Sequence, residues 1–265
     1  MSEEFSLQDR VVAITGGSGQ LGRCFTNALL SRGAKVVNFD LQPAAQTNVR
    51  SSESAFFVES DVTKRDSLER ALEQVRSKWG VPHALINNAA LDSPPGSPAS
   101  ENGPFEEFPL ESWNRALDVN LTGAFLACQV IGGAMAEAGR GSIVNVSSIY
   151  GVVSPDQRIY EYRRKQSDTF FKPVAYSASK SGLLNLTRYL ATYWAPRSVR
   201  VNTLTLGGVF NNQDPRFLEG YCARVPLGRM ADAREYVGPI VFLCSDASSY
   251  MTGSNLVVDG GWTAW

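Results

Sequence analysis

The chain has 265 residues, with 25 basic and 26 acidic side chains and a formal net charge of −1. That length suits one large α/β domain, and the even charge, with no basic tract, argues against a nucleic-acid or anionic-membrane partner. A single histidine excludes a His-rich metal site, and excludes a Ser-His-Asp hydrolase unless His83 serves it.

Short apolar runs alternate with helical patterns along the whole chain, the pattern of βαβ units feeding a parallel sheet. Strands are predicted at Val11–Thr15, Lys35–Asp40, Ala55–Val58, Ala84–Asn87, Ser142–Ser147, Arg200–Thr205 and Asn255–Val258. Helices are predicted to begin near Gln20, Lys64, Leu110, Val174 and Asp232. The third, punctuated by Arg115, Asp118 and Glu137, is expected to bury Leu117, Leu121 and Phe125. No linker or repeat divides the chain, so residues 1–265 read as one domain. Cys24, Cys128, Cys222 and Cys244 form no Cys-x-x-Cys and have apolar neighbours. They are expected to be reduced, buried thiols of a cytoplasmic protein. No charged-then-apolar segment precedes Asp9 and no apolar run approaches ~18 residues, so neither export nor membrane spanning is expected.

Two stretches break the compact alternation, Asp92–Pro109 and Val152–Pro173. Both follow strand ends, where open α/β sheets bind ligands, so both are expected to contact substrate.

Thr15-Gly16-Gly17-Ser18-Gly19-Gln20-Leu21-Gly22 follows the first strand and opens a helix. Its glycines permit a tight turn whose amides can approach a pyrophosphate at the positive end of the helix. The next strand ends in Asp40, where a carboxylate can accept from the adenosine ribose hydroxyls and repel a 2′-phosphate. Leu41, rather than an arginine, follows it, so NAD(H) is expected over NADP(H). Asp61 and Val62 end the third strand and can bracket an adenine edge. Asn87, Asn88, Ala89 and Ala90 end the fourth, where small residues let the backbone run close to a cofactor ribose.

Tyr176 and Lys180 lie four residues apart, on one face of a helix. A nearby ammonium favours the phenolate and can bring tyrosine from a pKa near ~10 towards neutrality.

Together these residues resemble the short-chain dehydrogenase/reductase family over essentially the whole chain. Further matching motifs are Asp118-Val-Asn120, Asn145-Val-Ser-Ser148, Arg200-Val-Asn202 and the ending Gly253-Ser-Asn-Leu-Val-Val-Asp-Gly-Gly261. The resemblance implies a Rossmann-like, doubly wound, parallel seven-stranded sheet flanked by helices. It implies a tetrad in which Tyr176 exchanges a proton with the substrate oxygen and Ser148 hydrogen-bonds that oxygen. Lys180 would lower the tyrosine pKa and bind the nicotinamide ribose, and Asn120 would hold a water that relays protons from Lys180. Gly207, Val209 and Asn211 would stand by the nicotinamide, although the family's usual Pro-Gly is here Leu206-Gly207 and Asn211 replaces a common Thr.

Two further departures mark the chain. The glycine spacing is that of the extended, sugar-nucleotide-modifying branch, with Gln20 where the short branch usually has glycine. Between Ser148 and Tyr176 lie 27 residues, about twice the usual interval. The excess carries Arg158, Arg163, Arg164, Lys165 and Lys172 with Asp156, Glu161 and Asp168, and the aromatics Tyr160, Tyr162, Phe170 and Phe171. The basic groups could bind phosphate or carboxylate and the rings could stack on a sugar or base; alternatively the loop packs on a neighbouring subunit. A third substrate loop is expected at about 207–229.

With its Val-Asp-Gly-Gly-Trp-Thr-Ala-Trp ending, the chain is similar to members associated with flagellin modification and surface-polysaccharide sugar synthesis. The expectation is an NAD(H)-dependent oxidoreductase of a secondary alcohol and ketone, acting on a sugar or sugar-phosphate-like substrate as a homodimer or homotetramer. A 3-oxoacyl-thioester reductase and a non-catalytic dinucleotide-binding regulator or scaffold are the alternatives. Trp262 and Trp265 could join a subunit contact or cap their own domain's core.

Overall fold

In the computed structural model, which describes residues 3–43, 53–92, 101–164 and 170–265, the predicted strands assemble into one seven-stranded sheet. They are β1 (Val11–Thr15), β2 (Lys35–Asp40), β3 (Ala55–Glu59), β4 (Ala84–Asn87), β5 (Gly141–Ser148), β6 (Val199–Leu206) and β7 (Asn255–Val258). Every pairing is parallel and the order is β3-β2-β1-β4-β5-β6-β7. The order reverses between β1 and β4, and this switch point opens a crevice at the carboxyl edge of the sheet.

Side-chain alternation along the strands explains the layering. Val11 and Ala13 enter a core on one face of the sheet, whereas Val12 and Ile14 enter a core on the other. The first face is covered by α2 (Arg65–Trp79), the Leu110–Glu137 helix and the Val174–Trp194 helix. The second is covered by α1 (Gln20–Leu30) and the Val237–Cys244 helix. A third cluster lies beyond the sheet's carboxyl edge and joins Tyr150, Ile159, Tyr160, Phe170, Tyr221 and Trp262.

The Leu110–Glu137 helix departs from the sequence expectation. Phe125 is 44 % exposed and Leu117 and Leu121 are half-buried. The fully covered stripe consists of smaller residues such as Ala124, Ala127, Cys128 and Ala134. Small side chains let this helix approach its neighbours closely; a Cβ at Gly182 of the facing helix would lie 2.7 Å from Leu121. By length and composition alone this helix could cross a bilayer, which a search for unbroken apolar runs does not reveal. Much of that apolarity belongs to the core, since 61 % of its most apolar window is buried.

Other departures are local. Cys128 and Cys244 are buried, but Cys24 and Cys222 are only half-buried, and all four are free thiols. His83 belongs to the opposite edge of the sheet, where its Nδ1 accepts from the Val11 amide at 3.0 Å. Burial, with Arg140 and Arg10 nearby, lowers its pKa. A helix at Pro215–Cys222 and a short one at Glu161–Arg164 occupy stretches predicted as loops.

Candidate active site and dinucleotide crevice

The glycine turn is packed too closely to admit side chains. Gly16 has φ +65°, and a Cβ there would lie 2.7 Å from the Ala89 Cα. A Cβ on Gly22 would lie 2.3 Å from the Gly16 carbonyl oxygen. Gly19 caps α1 with no side-chain acceptor, so the first-turn amides face outwards as anion donors. Ser18 and Asp40 are tied together: Asp40 accepts from the Ser18 amide at 2.9 Å and from the Leu41 amide at 2.8 Å. The Ser18 hydroxyl donates to the Gln42 carbonyl at 2.7 Å. These features fit a dinucleotide, with the amides for a pyrophosphate and Asp40 for ribose hydroxyls.

The remaining predicted cofactor residues stand on the same edge. Asn88 donates to the Thr15 and Gly16 carbonyls, at 3.2 and 3.0 Å, and the Thr15 hydroxyl accepts from the Asn88 and Ala89 amides. Asp61 accepts from both the amide and the hydroxyl of Thr63, and Val62 is buried where a Cβ on Gly123 would strike it. Burial pushes the Asp61 carboxyl up, but the Thr63 bonds and Lys64 outweigh it and hold the pKa below the usual range. Gln20 donates to the Phe210 carbonyl at 3.1 Å, joining the glycine turn to the segment after β6. Val209 bridges to Ala231, and the Asn211 amide donates to Gln213 at 2.8 Å.

A cleft of about 610 Å³ opens beside this edge. Gln20, Leu21, Asn88, Ala90, Gly207, Val209 and Asn211 line it from the cofactor residues, and Ser148, Tyr176 and Lys180 line it from the tetrad. Strand β5 fixes the Tyr176 helix by three contacts. Lys180 Nζ donates to the Val146 carbonyl at 2.8 Å, Ser147 Oγ donates to the Lys180 carbonyl at 2.9 Å, and Asn145 Nδ2 donates to Thr187 Oγ1 at 2.8 Å. Asn120 does not line the cleft. It lies 1 % exposed in a π-type turn, accepts from the Leu91 amide and donates to the Leu91 carbonyl and Ser179 Oγ. Both of its amide protons are thereby engaged, leaving one carbonyl lone pair for a water.

The electrostatics correct one expectation. Burial pushes the Tyr176 phenol far above the usual tyrosine range, and the Asp92 charge adds to that, against an opposing hydrogen bond with Ser148. Lys180 is itself pushed down to about 8 by burial, with Asp92 opposing. Its ammonium lies 5.8 Å from the Tyr176 ring centroid, so in the protein alone desolvation outweighs the expected lowering.

The described residues of the long insertion are held by internal contacts. Tyr160 and Phe170 are buried in the third core, 5.0 Å apart, and turn only a small part of their surface to the cleft. Trp262 closes the same core, stacked on Tyr221 at 4.5 Å, while Trp265 is exposed. Arg158 pairs with Asp156, and Arg164 donates to the Phe170 and Gln157 carbonyls. Lys172 pairs with Asp92 across the cleft. Of this insertion, Tyr160, Tyr162, Arg163, Phe170 and Lys172 line the cleft, and Lys165 and Asp168 lie outside the described residues.

Tyr150 lines the cleft and escaped sequence reasoning, whereas Gln213, Asp214, Arg216, Phe217 and Tyr221 line it from within the expected 207–229 substrate loop, where none had been singled out. The Tyr221 hydroxyl accepts from the Gly208 amide at 2.6 Å. Asp214 followed by Pro215 was a readable helix start, an acceptor cap before a first-turn proline, and its carboxylate accepts from the Arg216 amide at 2.8 Å.

A family model described as enoyl-(acyl carrier protein) reductase matches residues 18–263. The chain belongs to the short-chain dehydrogenase/reductase family. It is an oxidoreductase of that family by these matches, with the Rossmann-like architecture seen throughout the sheet. It is similar to D-threitol dehydrogenase of Mycolicibacterium smegmatis, 32 % identical over 98 % of this chain and 95 % of that protein. Among solved structures it is similar to a short-chain dehydrogenase from Leptospira borgpetersenii with bound NAD+, at TM-score 0.87 and 34 % identity, covering 99 % of this chain and 96 % of the other. It also resembles a gluconate 5-dehydrogenase from Burkholderia cenocepacia in complex with NADP and tartrate. That match has TM-score 0.85 and 26 % identity, covering 99 % and 98 % of the two chains. None of these three is named for flagellin or polysaccharide work.

Proposed function

We propose that this short-chain dehydrogenase/reductase uses NAD(H) to interconvert a secondary alcohol and a ketone on a small, polyol- or sugar-like molecule. The observation that carries the reading is the convergence of Tyr176, Ser148 and Lys180 on one cleft beside the glycine turn. When bound, the nicotinamide accepts or supplies the hydride. Tyr176 moves the proton at the substrate oxygen, and Ser148 steadies the charge that develops there. Lys180, held by the Val146 carbonyl, supplies the buried cation next to the phenol. Asn120 acts by fixing Leu91 and the start of the loop after β4 against the Tyr176 helix.

The NAD(H) preference rests on Asp40, whose carboxylate is oriented by two amides at the place where a 2′-phosphate would bring like charge. The chain as a whole, 1–265, works as one domain with substrate loops at about 92–109, 152–173 and 207–229, of which residues 93–100 and 165–169 lie outside the described residues. Homodimers or homotetramers are supported by exposed aromatic surface, with Tyr189 and Tyr193 each 64 % exposed and stacked at 6.0 Å.

The test is a kcat/KM panel of polyols, sugars, sugar phosphates and acetoacetyl thioesters with NAD(H) and NADP(H) side by side. Highest values for polyols or sugars with NAD(H) are expected. Preference for acetoacetyl thioester with NADPH would replace this reading with a 3-oxoacyl-thioester reductase.

A further inference from the structure

Lys172 and Asp92 come from the two loops that face one another across the cleft, and they form an ion pair. The Lys172 side chain is only 9 % exposed, whereas that of Asp92 is 50 % exposed. The Lys172 ammonium lies 4.6 Å from the Tyr176 ring centroid, nearer than that of Lys180 at 5.8 Å. Its backbone is pinned from both sides. Gln157 donates to the Lys172 carbonyl and accepts from its amide, at 3.1 and 2.9 Å, and the neighbouring Phe171 amide donates to the Asn102 carbonyl at 2.7 Å. The Lys172 end of the pair is therefore held in place beside the phenol before any substrate arrives.

We propose that the Lys172–Asp92 pair reads a hydroxyl on the carbon next to the reacting one, so that the substrate is a neutral vicinal diol and the product its α-hydroxyketone. This rests on the reading of Tyr176 as the group that faces the reacting oxygen. A group on the adjacent carbon then meets an ammonium and a carboxylate together. A hydroxyl satisfies both, accepting from Lys172 while donating to Asp92. A carboxylate or phosphate would satisfy Lys172 but confront Asp92 with like charge. An apolar group would strip water from the pair and return nothing. The outer cleft repeats the pattern, since Arg216 pairs with Asp214 and the Arg163 charge also acts on Asp214. Pairing to Asp92 and Asp214 makes Lys172 and Arg216 poorer partners for a phosphate or carboxylate, although four basic residues, Arg163, Lys172, Lys180 and Arg216, line the cleft against these two acids. In the reaction the diol carbon loses a hydride to NAD+ and its hydroxyl loses a proton by way of Tyr176. The products are NADH, one proton and the hydroxyketone, and the neighbouring hydroxyl is unchanged.

The test measures kcat/KM with NAD+ for butane-2,3-diol, butan-2-ol and 3-hydroxybutanoate, in the wild type, Asp92→Asn, Lys172→Met and the double variant. NADH affinity is followed alongside as a check on the folded cofactor half. The wild type should favour the diol over butan-2-ol by at least about tenfold, a difference of ~1.4 kcal/mol. The ratio should fall towards one in each single variant, with no further fall in the double variant. A diol preference that survives in variants that still bind NADH overturns the proposal. So does a wild-type preference for 3-hydroxybutanoate that only Lys172→Met abolishes. Turnover of alcohols without discrimination removes the pair's role alone, whereas no turnover of any alcohol removes the oxidoreductase reading and this one with it.

Discussion

Replacing Lys180 with Met removes an ammonium that is 4 % exposed and bonded to the Val146 carbonyl. Burial holds the lysine pKa down to about 8, against an ordinary value of 10.5. Between those values the unfolded chain keeps a proton that the folded chain has released, so the contribution of this group to wild-type stability rises with pH. The buried Cys128 and Cys244 thiols oppose that rise equally in wild type and variant. The cost of the buried charge is fully present below pH ~8 and is relieved as pH climbs towards the unfolded value. From pH 7 to 9.5 this one group adds roughly 2 kcal/mol to wild-type stability, at ~1.4 kcal/mol per unit. The Met variant lacks that term. It also leaves the Val146 carbonyl without its donor, a loss of about 1–3 kcal/mol that does not vary with pH. Urea unfolding followed by tryptophan fluorescence, at one fixed protein concentration, measures both slopes. With a denaturant dependence of ~3 kcal/mol per M, the wild-type midpoint should climb roughly 0.6 M more than the variant's over this range. The window stops at pH 9.5 because burial also raises the Tyr150 and Tyr236 phenols. Above pH ~10 the unfolded chain ionises those tyrosines first and stability falls. Parallel pH dependences for wild type and Lys180→Met would refute the buried-ammonium argument.

Tyr176→Phe should lower kcat by at least about 10²-fold while NADH affinity stays within twofold, measured by steady-state kinetics and fluorescence titration; unchanged turnover removes Tyr176 from the chemistry. Asp40→Ala should shift the NAD+/NADP+ ratio of kcat/KM towards NADP+ by about tenfold or more, because the ribose acceptor and the like charge leave together. Gly22→Ala should cost about 1–3 kcal/mol, since its Cβ would meet the Gly16 carbonyl oxygen at 2.3 Å; an unchanged melting temperature and unchanged NADH affinity would contradict the packing described. In size-exclusion chromatography across a concentration series the protein should elute at dimer or tetramer mass, and elution at monomer mass throughout would refute assembly through the long helices.

The strands were legible because each is a short apolar run whose alternate residues feed two different cores, as Val11 to Ile14 do. Helix composition was less transparent. Leu117, Leu121 and Phe125 look like a core stripe, yet close approach to neighbouring helices favours the Gly and Ala face of the same helix. Pro215–Cys222 falls inside the stretch 207–229 expected as a loop, although Asp214-Pro215 announces a helix start. The aromatic insertion offered rings that could stack on a substrate, and Tyr160 and Phe170 do line the cleft, but they also close a third core against Tyr221 and Trp262.

What the sequence determined by itself was local spacing: a glycine turn with an acid one strand later, and a tyrosine one helical turn before a lysine. Those relations survive because they depend on helix pitch and strand length. Only the tertiary structure decided how far each group is desolvated and which charges meet. The Lys172–Asp92 pair joins residues 80 apart in sequence, and the displaced pKa values of Tyr176 and Lys180 follow from burial. No local pattern encodes burial, because it is set by side chains brought in from the whole chain.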